Sequence, residues 1–544
     1  MILAVVLFCV VIFVSARRGG DTSLDGLYVS PEQLEELQES RSLAEGPLTD
    51  EIYFDDQCLM YDWEDGVFYY SMIQGDEEAW NPEVTASDGI NIAFCGEPLS
   101  QELIASAGTI TVAMYDGQNI SLSQLAVTTL PIMDIELDAD AMAALALDET
   151  YDLEDDMPME LYLYDNRADF AGDSRVTEAE GQMHKRGATT ANLGQKSYKI
   201  NLLKDKDDPE EGKVDCNLLG LREDNDWILY SPYSDYEKVR NLFSMNLWRE
   251  SFAGDNIWKV DNATEYKYLE LFVNGHYQGL YALGYPIDRK QLGTGKGEKA
   301  ESTFKKLDWS ESEWSEEAEV ITYEDGSQVS HLPGYAISNE GATDAEDLHE
   351  LYAVLAFSED PEAIRSVCDV DNGIDLWLYY ELTLAVDNMQ GLEVKNLYAT
   401  LKKSGANELG YKLLLTPWDM DQSWGCGLGD GSGDNGISYY YYDATTLLDQ
   451  EWGPVPSLIN AMDEDILSEL KNKYSKLRKG AWSEDSLMEM LDEYEAEIYD
   501  SGAFARTEAR WPEGNYNGAE ERLTNLKEYV RERLTWMDGV MEGL

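Results

Sequence analysis

The sequence predicts an α+β domain preceded by a small all-β module, and three observations carry that reading. Between Ile52 and Thr129 short β-like runs alternate with turns rich in Gly and Asp, the pattern of a small Ig-like sandwich. From Leu130 onward strand-like runs come first and amphipathic helical runs follow, the order of an α+β domain. The length of 544 residues, 43% of them hydrophobic and 11% aromatic, supplies two cores and excludes a disordered chain.

Charge narrows the function. Lys and Arg number 40 against 107 Asp and Glu, a formal charge of −67. Such a surface repels nucleic acid and anionic headgroups, so no nucleic-acid partner is expected. A nucleotide site on this chain has to be locally basic or use a metal. The six cysteines (Cys9, Cys58, Cys95, Cys216, Cys368, Cys426) show no CxxC and no pairing with the four histidines, which argues against structural zinc. Cys58 and Cys95 flank one small module and either pair or stay free.

Residues 1–18 form the first segment. Met1 to Ala16 is almost wholly apolar and Arg17-Arg18 follows, as in a signal peptide or membrane anchor; a chain start further upstream is the third reading. Residues 19–50 are polar and acidic, and SPEQLEELQESRSLAEG holds at most one short helix, so a linker is expected. Residues 51–129 are the β module (CLMYDW, GVFYYSMI, GINIAFCG, GTITVAMYDG, LAVTTL), and no chemistry-bearing motif lies there.

Residues 130–544 form the second domain. LPIMDIELD is a strand, ADAMAALALD an acidic helix-like run, and ELYLYDN and GQMHKRGATTANLGQKSYKINLL further strands of one sheet. In SYKINLL, alternation puts Tyr198, Ile200 and Leu202 on one face, which Lys196 shares, and Lys199 with Asn201 on the other. Arg186, Lys196 and Lys199 either run their stems along the sheet surface or face an anion. A Trp-anchored strand precedes a helix from about Tyr236, with Val239, Leu242, Phe243, Leu247 and Phe252 at helical spacing. YLELFVNGHYQGLYALGY is a hairpin turning at Asn274-Gly275, on which Glu270 reads as an exposed strand residue. Thr294 to Asn339 lacks periodicity and reads as an inserted loop.

The helix GIDLWLYYELTLAV delivers Asp387. NLYATL and YKLLLTPW then form strands about a turn at SGAN. Asp387, Asn388 and Asn396 fall at one side of this unit, Asp419 and Asp421 at the other. Carboxylates with a carboxamide suit a hard cation such as Mg²⁺; the other reading is that loop Asp and Asn favour turns. Downstream, Asp430, Asp434 and Asn435 lie between glycines in CGLGDGSGDNGISYYYYD, but their spacing fits no EF-hand, and a flexible loop is expected. Amphipathic helices end the chain from Pro456.

The string VDNM…KNLY…PWDMDQSWG resembles the active-site signature of the CotH (spore coat protein H) family of atypical secreted protein kinases. LPIMDIELD, KRGATTANLGQKSYKINLL, LLGLREDNDWILYSPYSDYEKVRN and YLELFVNGHYQGLYALGYPID resemble successive family blocks, so the likeness runs through residues 130–544. It implies a two-lobed, protein-kinase-like domain that transfers the γ-phosphoryl of ATP, with Mg²⁺ or Mn²⁺, to Ser or Thr of a surface or envelope protein. On that resemblance Asp387 is the catalytic Asp, while Asn396 and Asp419 hold metal with Asp421 completing the shell. Arg186 and Lys196, with Lys199 as second choice, neutralise phosphate. Tyr285, where many relatives carry Glu, stacks on the base. The resemblance also implies export, with the N-terminal segment as the sole membrane contact; a pseudokinase acting as a surface adhesin is the alternative.

Overall fold

The computed structural model describes residues 22–75, 80–138, 156–187, 193–297, 299–309, 319–322, 328–332, 334–427 and 440–544. The apolar N-terminal segment, the run ADAMAALALD and the Gly-flanked Asp430, Asp434 and Asn435 lie outside them. Among the described residues no helix is long and apolar enough to cross a membrane. The chain divides into two compact units. One runs to Thr129 and takes in Asn166–Asp169 and Gly275–Tyr277; the other holds the rest from Leu130.

The first unit has two sheets that share a core of Ile52, Phe54, Phe68, Tyr70, Phe94 and Val112. Its larger sheet is mixed: Ser42–Leu43 and Val67–Ser71 both run parallel to Asn119–Thr128. An immunoglobulin sandwich is antiparallel, so the Ig-like expectation gives way to a mixed two-sheet module. The expected linker is also corrected. Pro31–Glu39 is a helix closed by a capping box at Ser30 and Gln33, and Ser42–Leu43 joins the sheet. Cys58 and Cys95 are both free thiols.

The second unit mixes α and β structure. Seven strands close into a barrel: β1 (Ile132–Leu137), β2 (Met157–Tyr164), β3 (Val176–Arg186), β4 (Ser197–Leu203), β5 (Asp226–Tyr230), β6 (Tyr266–Val273) and β7 (His276–Gly284). The order around the ring is β1-β2-β3-β4-β5-β7-β6, and β6 returns to β1 as the one parallel pairing. Period-two alternation fills the interior. Tyr198, Ile200 and Leu202 of β4 meet Trp227, Leu229, Leu269, Leu271 and Leu283 in one apolar cluster. The β6–β7 turn has Asn274 and Gly275 both at positive φ, as a type I′ turn requires. Glu270 corrects its expectation: it is fully buried and accepts from Arg506 at 2.8 and 3.1 Å.

Between β5 and β6 lies helix α1 (Arg240–Phe252), which begins four residues later than its sequence pattern suggests. Beyond the barrel, β8 (Thr303–Lys306), β9 (Tyr335–Asn339), β10 (Leu397–Lys403) and β11 (Tyr411–Pro417) form a four-stranded sheet in the order β9-β8-β10-β11. The expected loop from Thr294 to Asn339 therefore supplies two of its strands. Helices α2 (Ala345–Phe357), α3 (Pro361–Val367) and α4 (Val370–Thr383) precede β10, and five more (Pro454–Asn460, Ile466–Leu477, Glu484–Glu495, Ala503–Arg510, Thr524–Gly543) follow β11. These helices and the sheet bury a single large core with α1, including Phe243, Trp248, Tyr379, Trp424 and Trp482.

Candidate active site

The site forms where β10 begins and β11 ends. Leu397 pairs with Pro417 in the β10–β11 register, and one step further the Trp418 amide donates to the Asn396 carbonyl at 2.9 Å. That ladder sets Asn396 beside the residues that follow Trp418. The Asn388 carboxamide donates to both the Trp418 and Asn396 carbonyls, at 2.8 and 3.3 Å, and clamps the two strand ends together. Asn396 and Asp419 both hold positive φ, 53° and 56°, a strained backbone for residues with a Cβ that persists where the surroundings dictate it.

Helix α1 fixes the loop beyond. Asn241 Oδ1 accepts from the Met420 amide at 2.9 Å, Ser244 and Ser423 share a hydrogen bond of 3.1 Å, and Phe243 stacks on Trp424. Gly425 follows at φ 82°, where a Cβ would meet the Tyr529 ring at 2.5 Å. α1 is itself anchored by buried charge: Arg240 pairs with Asp235 and Glu237, and Tyr440 donates to Glu237 at 3.3 Å. The residues just before α1 serve the site as well, since Ser234 Oγ donates to Asp421 Oδ2 at 3.2 Å.

Three carboxylates meet here. Asp387 pairs with Lys395 at 3.0 Å and accepts from Asn396 Nδ2 at 3.1 Å. Burial raises its carboxyl, with Asp419 adding to the rise and Lys395 and Asn396 opposing it. Asp421 is pushed up to about 8, first by burial and then by Asp419 and Asp387. Tyr230, the last residue of β5, is buried with its hydroxyl unpartnered, and burial followed by Asp421 and Asp419 drives it far upward. A carboxylate pair that crowds one another, a carboxamide and an orphan hydroxyl describe a place short of positive charge. This donor set fits a hard divalent cation.

Two cations face these groups from the other side. Arg186, at the end of β3, lies over Trp418 with its guanidinium carbon 5.8 Å from the ring centre. Lys305, in β8, stands 5.7 Å from both the Trp418 and Tyr398 rings. Burial, then Arg186, lowers the Lys305 ammonium to about 8 against the pull of Asp419. Neither cation hydrogen-bonds or ion-pairs with a carboxylate among the described residues. Of the cations buried elsewhere in this unit, Arg240, Arg506, Arg533 and Lys473 pair with Asp or Glu, and Lys238 gives its ammonium to the Tyr233 and Asn515 carbonyls.

Of the residues singled out from sequence, the fold brings together Asp387, Asn396, Asp419, Asp421 and Arg186. Three others fall elsewhere. Lys196 turns its ammonium to the Leu193 carbonyl at 2.9 Å, and Lys199 stands across from His184 on the outer face of the barrel. Tyr285 is buried in the barrel cluster under Arg222, whose guanidinium carbon is 4.2 Å from its ring centre, so it offers no stacking face for a base. Lys305 and Lys395 escaped sequence reasoning. Lys395 adjoins Asn396 in the KNLY string and was legible there; Lys305 sat in a stretch with no periodicity.

A second acidic group, Asp224, Asp226 and Asp288, brings carboxylate oxygens within 4.8 Å of one another. Lys290 and Arg222 bind Asp224, Lys213 binds Asp226 at 2.9 Å, and Arg222 reaches Asp288 at 3.4 Å. With its charge already answered, this group does not fit a metal.

A family model described as CotH kinase protein matches residues 183–537, more than half of the chain and every residue of the site just described. No curated protein matches.

Proposed function

Because the chain belongs to the CotH kinase protein family, and is thus a kinase-like protein, we propose that it is an active protein kinase that moves the γ-phosphoryl of ATP to Ser or Thr of a surface or envelope protein. The observation that carries this reading is the unmatched pair Arg186 and Lys305, held over Trp418 beside Asp419. In a protein of charge −67, two cations kept from carboxylates beside three crowded carboxylates make a site for a polyphosphate with its metal.

The family implies ATP and a divalent metal. Asn396 and Asp419, with Asp421, are the residues to hold that metal, and when bound it supplies neutralisation of phosphate charge. Arg186 and Lys305 bind the remaining phosphate oxygens and draw charge toward the leaving side. Asp387 orients the acceptor hydroxyl and takes up its proton; Lys395 keeps Asp387 anionic and aimed. Positioning and electrostatics dominate phosphoryl transfer, and the Asn388 clamp and the α1 contacts supply the positioning in advance. Export or anchoring through the apolar residues 1–18 would place the acceptor outside the cell. Tyr285 stands where many relatives carry Glu, but it is buried under Arg222, so this departure carries no argument for the adhesin alternative.

The test is label transfer from γ-labelled ATP with Mg²⁺ or Mn²⁺ to the chain itself and to Ser-rich acceptors. Label from the wild type and none from a folded Asp419→Ala variant is the expected result. Equal label from both overturns the assignment, and absence of both label and nucleotide binding moves the reading to the adhesin.

A further inference from the structure

The loop that carries Asp387 has a second face. Leu384 and Val386, which lead into Asp387, line a cavity of about 550 Å³ whose other wall is the 446–451 segment. Its buried part is apolar: Leu384, Val386 and Leu448 are all less than a tenth exposed. Its rim is open and mixed. Leu392 and Leu447 are 44% and 60% exposed, and Glu393, Asp449 and Glu451 stand among them, with no Lys or Arg in the lining.

The cavity is built in advance. The Gly391 amide donates to the Asp449 carbonyl at 2.6 Å, and the Glu451 amide returns a bond to the Gly391 carbonyl at 2.9 Å. Gln450 donates to the buried Glu381 at 3.1 Å, and Glu381 in turn is held by Arg533. Exposed leucines around a hydrogen-bonded hollow with an apolar floor and polar walls mark a place that binds. The Asp449 and Glu451 carboxylates select against an acidic occupant and for a basic one.

We propose that this cavity is the acceptor-side specificity pocket, an inference that rests on the kinase reading above. It takes one apolar side chain of the acceptor peptide, two or three residues from the phosphorylated hydroxyl, with a Lys or Arg beside it facing Glu393, Asp449 and Glu451. The spacing follows from the chain. Val386 lines the cavity and Asp387 is its direct neighbour, and an extended peptide advances about 3.3 Å per residue, so two or three residues span about 7–10 Å. In this proposal an extended acceptor with its hydroxyl at Asp387 carries a side chain two or three residues away to the cavity that Val386 lines.

The experiment uses the full chain and nine-residue peptides with a central Ser, one Arg and a single Leu walked through the other positions of an Ala background. One position is expected at which Leu lowers KM about tenfold relative to Ala with kcat unchanged. In Leu447→Asp and Leu392→Asp, both at solvent-exposed positions, the preference disappears while the Leu-free peptide is labelled as before. Fluorescence anisotropy of the best Leu peptide without nucleotide measures the pocket independently of transfer. Leu447-dependent binding with no label in any peptide sustains the pocket and overturns the kinase reading. Label with no preferred position, or a preference that survives both substitutions, overturns the pocket and leaves the kinase standing. Neither binding nor label overturns both.

Discussion

Asp224, Asp226 and Asp288 draw three carboxylate oxygens within 4.8 Å of one another, and each is met by Lys290, Arg222 or Lys213. Asp387, Asp419 and Asp421 gather with less: Lys395 answers Asp387, and Ser234 is the partner of Asp421. Burial works against the Asp224 carboxylate, yet Lys290 and Arg222 hold it below the ordinary range, whereas Asp421 rises to about 8. In a chain with this many acids, crowding of carboxylates is a poor guide to function. The informative quantity is the charge that the fold leaves unanswered.

The largest test of this contrast is kinetic. Asp419→Ala is expected to lower kcat/KM for phosphoryl transfer about 10³-fold, roughly 4 kcal/mol of transition-state stabilisation, with the melting transition retained. Asp226→Ala should transfer at the wild-type rate, and comparable losses in both variants would erase the distinction. Next is stability. Asp224→Ala leaves Lys290 and Arg222 without their buried partner and should cost about 3 kcal/mol in urea unfolding, with activity of the folded fraction intact.

A smaller effect sharpens the comparison through pH. Folded Asp421 keeps its proton to about 8, while an unfolded Asp releases it near pH 4, at about 3.9. The folded state then binds more protons across that window, so stability without metal falls as pH rises from about 4 to about 8. Asp421→Asn should flatten the fall and gain about 1–3 kcal/mol at pH 8, less than the full shift implies because the group keeps some solvent. A wild-type stability that rises over this window would contradict the crowding of the carboxylates. The smallest effect is Lys305→Met, with nucleotide affinity about tenfold weaker at pH 7, or roughly 1.4 kcal/mol. As Lys305 titrates near 8, wild-type affinity should decline between pH 7 and 9 and the variant's should not, a difference that calorimetric titration resolves.

Much of this was legible in the sequence because it is local. Alternation in SYKINLL gives the inward face of β4, Asn274-Gly275 gives the turn, and the KNLY and PWDMD strings give Asn396 at a strand's start and Asp419 at a strand's end, which the β10–β11 register then brings side by side. What depended on distant partners was not. Glu270 reads as an exposed strand residue until Arg506, far along the chain, supplies its ion pair. Lys196 and Arg186 look alike on one strand–turn–strand stretch, and only the position of Trp418 separates them. Lys305 lies between segments with no period, and its strand exists because β10 accepts it as a neighbour. Tyr285 drew attention through a departure from an expected residue, a signal that carries no information about which way a side chain points.

The closed barrel bears on how the chain reaches this state. β1 is joined to the ring by pairing with β6, Ile132 against Glu270, so its second neighbour is made more than a hundred residues later in synthesis. Contacts of such sequence separation form slowly, because the intervening chain must be ordered before the pairing rewards it. Until then β1 and β2 present an open edge of the kind that recruits other strands. The closing strand also carries Glu270, whose charge is met by Arg506 near the C-terminus. Every strand of the ring is made by Gly284, but the charge buried in its closing strand waits for Arg506, so a ribosome-bound or truncated chain lacking the last helices would hold a barrel with a buried, unanswered carboxylate.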